Sequence, residues 1–120
     1  MEILKFSYNW NNKLANRAFT SIRLSNPRKY QIGQTYLIQL KTDELGTAKL
    51  IQKRTLNINE LGEFSCYLDT GYNKQETINI IKRMYPNVNW NNTHIDLCLF
   101  LYDHLKTTTT PSEAYTSPAK

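Results

Sequence analysis

The sequence predicts an α+β fold built on a mixed sheet. Three observations lead there. Four segments in the N-terminal half alternate apolar and polar side chains with the period of two that a half-buried strand requires. After Asn57 the apolar spacing changes to three and four, the helical period, over two successive stretches. The chain then returns to strand with "HIDLCLFLY", a nearly continuous apolar run suited to a strand buried on both faces. Strands and helices do not alternate strictly, which argues for α+β with a mixed sheet. A sheet of this size is expected to curl into a small half-open barrel with the helices plugging one end.

Each element has its own warrant. In "MEILKFSY" the apolar Ile3, Leu4, Phe6 and Tyr8 are interleaved with Lys5 and Ser7, which predicts a first strand. "NWNNKLANR" predicts a turn and short helix, capped by Asn9 and sealed to the core by Trp10, Leu14 and Phe19. "AFTSIRL" is the second strand. "SNPRKYQIG" carries turn chemistry at Asn26-Pro27 and Gly33, and "QTYLIQLK" is the third strand, with Tyr36, Ile38 and Leu40 on one face. "TDELG" is predicted as a hairpin loop ending at Gly46. "TAKLIQKRTL" then forms the fourth strand, alternating Ala48, Leu50 and Gln52 with Lys49, Ile51 and Lys53. In "NINELGEFSCYLDTG" the spacing of Leu61, Phe64 and Leu68 predicts one helix with that face buried, capped by Asn57 or Asn59 and stopped by Gly71. In "NKQETINIIKRMYP" Asn73 caps, Glu76 completes a capping box, Ile78, Ile81 and Tyr85 form the buried stripe, and Pro86 ends the helix. The tail "KTTTTPSEAYTSPAK" has no period, so the chain divides into a domain over residues 1–105 and a flexible appendage over 106–120.

Composition removes several classes. A chain of 120 residues, 40% apolar and 12% aromatic, can bury a core without metal or disulfide staples. Cys66 and Cys98 lie far apart inside apolar runs with no C-x-x-C spacing, which predicts buried reduced thiols. The N-terminus is too polar for a signal peptide and no apolar run reaches membrane-spanning length, so a soluble cytoplasmic protein with no membrane partner is expected. His94 and His104 lack zinc-ligand spacing, and no phosphate loop or nucleophile elbow occurs; neither metal nor cofactor is expected. Residues 1–59 carry ten Lys/Arg against three acids, whereas residues 60–120 carry five against seven. The basic half is a candidate phosphate-attracting face, although solvated strand edges account for the same charges.

The stretch "RAFTSIRLSNPRKY" holds the densest candidates. Strand alternation puts Ser21 and Arg23 on one face and Ile22 and Leu24 on the other. A hydroxyl beside a guanidinium suits a phosphate or a base edge; the alternative is that Arg23 pairs with Asp69 or Glu63 to tie strand to helix. Arg28 and Lys29 flank Tyr30 in a turn, where cations beside an aromatic able to stack on a base suit nucleic acid. Lys49, Lys53 and Arg54 extend that patch. In "LDTGY", Asp69 and Thr70 lie between two helices, where a carboxylate can be aimed into a cleft and Tyr72 can cover a base. The alternative there is a helix-ending turn in which Asp69 accepts backbone hydrogen bonds. Trp10 and Trp90 are either stacking platforms or core seals.

In order and spacing, "FTSIRL", "YQIGQTYLIQL", "GTAKLIQKRTLNINEL" and "LDTGYNKQETINIIKRMYP" resemble the ASCH family of the PUA-like superfamily, over about residues 3–102. The most specific parts are the strand Thr20-Ser21-Ile22-Arg23, the glycine and tyrosine at Gly33 and Tyr36, and the helix ending in Tyr85-Pro86. The resemblance implies a twisted pseudo-barrel whose cleft, flanked by the helices, takes RNA, modified bases or nucleosides. Some ASCH proteins similar to this one are amidohydrolases that deacylate N4-acetylcytidine with a lysine, a threonine and a glutamate. On their K-T-x-T-x-R strand, Arg23 falls on the arginine, Ser21 on the catalytic threonine and Ala18 on the lysine; the glutamate segment offers Thr70 with Asp69 beside it. Ala18 removes the ammonium, with Lys13 or Arg17 as the nearest substitutes and arginine a poor base. The reading is a domain that binds RNA or a nucleotide-type ligand. Thr20, Ser21, Arg23, Asp69 and Tyr72 would face the ligand, with Arg28, Lys29, Lys53 and Arg54 on phosphate. An amidohydrolase with Ser21 as nucleophile is one alternative. An accessory protein that presents its tail to a protein partner is another.

Overall fold

A computed structural model describes residues 1–106. The strands are β1 (Glu2–Phe6), β2 (Ala18–Leu24), β3 (Thr35–Leu40), β4 (Asp43–Asn57) and β5 (His94–Leu105). They form one sheet in the order β1-β3-β4-β5-β2, with β1 parallel to β3 and every other pair antiparallel. Helices α1 (Glu63–Thr70) and α2 (Lys74–Met84) follow β4, and short 3-10 segments cover Trp10–Ala15 and Ile58–Glu60. No described helix is long and apolar enough to cross a membrane.

The sheet's two edges, β1 and β2, approach each other as it curls. The Arg23 guanidinium on β2 donates to the Lys5 carbonyl of β1 at 2.8 Å, across the gap. The result is a half-open barrel with a seam between its first two strands. Inside the curl, Leu4, Phe19, Tyr36, Leu50 and Phe100 pack into one core. On the other face, Leu56, Ile95 and Leu97 meet Cys66, Ile78 and Ile81 beneath the helices. β5 feeds both cores from alternate positions, which is why its sequence is apolar almost without interruption.

Several sequence expectations need correction. The β3–β4 connection is a tight turn at Lys41-Thr42, with Lys41 at φ 54°, so β4 begins at Asp43 and absorbs the predicted loop. Leu45 is the extra residue of a bulge there. The following Gly46, at φ 147°, lies where a Cβ would run into the His104 carbonyl oxygen. A second irregularity skips Ile51, pairing Leu50 with Phe100 but Gln52 with Leu99. One extra residue reverses the alternation. Lys53, rather than Gln52, therefore points inside the curl.

The stretch after β4 is not one helix. Asn57 and Glu60 form a capping box around the 3-10 segment, and α1 starts afresh with Gly62 as its N-cap. Leu61 is buried, but Phe64 and Leu68 are 82% and 57% exposed. The buried face of α1 is Cys66, Asp69 and Thr70. A polar anchor at Asp69, rather than an apolar stripe, sets the helix's rotation. α2 follows expectation: Asn73 and Glu76 cap reciprocally, and Thr77, Ile78, Ile80 and Ile81 face inward. Both cysteines are free, buried thiols.

Candidate functional site

The seam opens into a small cleft of about 90 Å³. Its apolar walls come from Phe6 at the end of β1, from Tyr8 and Trp10 beyond it, and from Ile80, Ile81, Met84 and Tyr85 of α2 and its end. Its polar lining includes Lys13, Ser21, Arg23 and Asp69, with Lys5, Ser7 and Thr70 beside them.

Local sequence explains how Lys13 arrives. Asn11 and Asn12 adopt left-handed backbone conformations at φ 58° and 52°, folding the segment after β1 back on itself. The Asn11 side-chain amide donates to the Tyr67 and Leu68 carbonyls at 3.3 and 3.1 Å, adding to the Gly71 N–H on Tyr67 and filling the Leu68 acceptor at the end of α1. Gly71 caps α1 at φ 84°, and a Cβ there would lie 3.3 Å from the Asn11 side-chain oxygen. This docking carries Lys13 to Asp69.

The two form an ion pair at 3.0 Å with both side chains 5% exposed. The Thr20 hydroxyl donates to the other Asp69 oxygen at 2.7 Å. Burial pushes the Lys13 ammonium below the ordinary lysine value; Asp69 opposes that push and the Arg23 charge adds to it. Asp69 is the ammonium's hydrogen-bonding partner among the described residues, and Lys13 lines the cleft.

Arg23 is half-buried over the Phe6 ring, 4.5 Å from its centroid, and its Nε donates to Ser21 Oγ at 2.7 Å. With one further N–H on Lys5, three remain. Arg23 pairs with neither Asp69 nor Glu63. Asp69 accepts from side chains, not from a backbone turn. Lys13, weighed in the sequence only as a substitute for the position at Ala18, reaches that carboxylate from a different segment.

The remaining candidates scatter. Tyr72 is 45% exposed and packs edge-on against Trp10 outside the cleft. Arg28 is exposed, while Lys29 approaches Glu2 at 3.9 Å. Tyr30 is 5% exposed, so its ring is core rather than a stacking surface. Lys53 donates to the Tyr30 carbonyl at 2.7 Å from inside the curl. Arg54 is exposed on β4, which pairs with β3 and β5 rather than with the seam strands. Trp10 is half-buried and lines the cleft, and Trp90 packs against the core beneath the helices. No cluster of three or more potential metal ligands occurs among the described residues. The predicted tail, from residue 107 on, lies outside the described residues.

No family model and no curated protein matches the sequence. Among solved structures, protein EF3133 from Enterococcus faecalis V583, a DUF984 protein, matches with a TM-score of 0.61 over 83% of this chain and 72% of that one. The two chains share a fold. Their identity is 13%, so the likeness speaks for the backbone and leaves the seam's side chains to be read by themselves.

Proposed function

We propose that the seam cleft binds a nucleoside or nucleotide, alone or within RNA, as the resemblance to the ASCH family implies. The observation that carries this is the buried Lys13–Asp69 pair opening into an aromatic-walled cleft. Such a pair contributes little net stability, because desolvating two charges offsets most of their attraction. A buried lysine whose ammonium is pushed down by burial and which lines a cleft beside its carboxylate partner is the arrangement a recognition site uses. In this reading a planar base enters edge-first between the apolar walls, with Asp69 accepting from an exocyclic amine and Lys13 or Arg23 donating to a carbonyl or phosphate. Titrating nucleoside 5′-monophosphates and a ten-nucleotide RNA at low and high salt tests this reading. Affinity should fall as salt rises, and Arg23→Ala should weaken it at least tenfold while circular dichroism stays native. A flat salt response, or a fully active Arg23→Ala, would overturn it.

The hydrogen-bonded chain Thr20–Asp69–Lys13 favours a second reading, an amidohydrolase acting on an N-acylated nucleoside. Ser21 lines the cleft, but its oxygen is occupied by Arg23, and no base hydrogen-bonds to it among the described residues. Thr20 has its proton directed at a carboxylate. In this reading water is consumed as the acyl C–N bond of N4-acetylcytidine breaks to give cytidine and acetate, and Thr20→Val abolishes release while Ser21→Ala does not. Absence of acetate from the wild-type protein would exclude it.

A further inference from the structure

Beyond the cleft lies a second hollow, lined by Trp10, Tyr72, Asn79, Ile80 and Arg83 together with Glu76. Trp10 and Ile80 belong to both, so the two share a wall. Three aromatics run across that wall. Tyr8 meets Trp10 edge-on at 4.6 Å between centroids, and Trp10 meets Tyr72 at 6.2 Å. Tyr8 and Tyr72 remain 56% and 45% exposed. Rings left this exposed keep apolar surface on offer, whereas a core seal would hide it. Arg83 is exposed and makes no ion pair among the described residues. Glu76 accepts from the Asn73 backbone N–H, and Asn79 Oδ1 accepts from Gln75 Nε2, which leaves the Asn79 side-chain amide N–H groups to donate.

We propose that this hollow is a second stacking subsite, so that the ligand is a single-stranded nucleic acid rather than a free nucleoside. One base enters the cleft and its neighbour stacks on Tyr72 with Trp10 at its edge, and Arg83 supplies the cation for phosphate. Aromatic platforms combined with a cation are how single strands are held without reading each base edge. The inference rests on the nucleotide reading of the cleft but goes beyond it, because a mononucleotide would leave the second hollow empty.

Calorimetric titration of the full chain with the four nucleoside 5′-monophosphates and with 5′-phosphorylated dinucleotides tests it. Dinucleotides should bind at least about tenfold tighter, the increment expected of one more stacked base. Tyr72→Ala and Arg83→Gln should remove that advantage and leave mononucleotide affinity intact. Arg83→Gln should also flatten the salt dependence for dinucleotides by about 0.7 in log–log slope. Equal affinity for both ligand sets, or variants that weaken both sets alike, would overturn the second subsite and leave the cleft reading standing. Failure of both sets to bind would overturn the two together.

Discussion

Removing one charge of the Lys13–Asp69 pair gives the most informative perturbation. In Lys13→Met the Asp69 carboxylate stays 5% exposed and keeps only the Thr20 hydroxyl. At 3.0 Å the lost attraction is about 5 kcal/mol for an effective dielectric near 20, partly offset because the ammonium no longer needs desolvating. The expected loss is about 3–5 kcal/mol, the usual result of stranding one member of a buried pair. For a domain of this size that lowers the melting temperature by roughly 12 °C or more. Lys13→Met/Asp69→Leu strands no charge, so its stability should return to the wild-type value or exceed it. Urea denaturation of the four proteins closes the cycle. A Lys13→Met loss under about 1 kcal/mol would refute the stranding of Asp69, and a double variant no better than the single would refute the argument that the pair is held for something other than stability.

Three further outcomes follow from the packing. Gly71→Ala combines a left-handed position with crowding against Asn11, so it should destabilise by about 1–2 kcal/mol; its effect should fall by half or more in an Asn11→Ala background, measured by thermal unfolding. Burial pushes the Cys98 thiol and the Tyr102 hydroxyl up to about 12. Both stay protonated in the fold while the unfolded chain ionises above about pH 9 and 10, so their stabilisation is complete below those values and is lost up to about pH 12. Alkaline melting curves should therefore decline from pH 9, less steeply in Cys98→Val. Asp96 is fully buried and accepts from the Thr55 hydroxyl and the Asn26 amide, which pin β4 and the loop after β2 to β5. Asp96→Ala should cost about 2–4 kcal/mol in urea denaturation.

The strands were legible because their alternation is local, and α2 because its capping box and apolar stripe lie within one helix. The errors arose where a distant partner decided. The bulge at Ile51 answers to β5, and it turned Lys53 inward where simple alternation gave Gln52. The rotation of α1 answers to Asp69, whose contacts with Lys13 and Thr20 outweighed the apolar spacing of Phe64 and Leu68. Arg23 and Ser21 could be placed on one face from strand period alone. Lys13 could not be joined to Asp69, since 56 positions separate them and the link runs through two left-handed asparagines.

The central claim is that the seam cleft takes a nucleotide through its buried ion pair. The direct measurement is calorimetric titration of the four nucleoside 5′-monophosphates into wild-type protein and into Lys13→Met/Asp69→Leu. The account predicts saturable binding of at least one nucleotide to the wild type and none to the folded double variant. Binding that survives in the double variant, or is absent from the wild type, would contradict it.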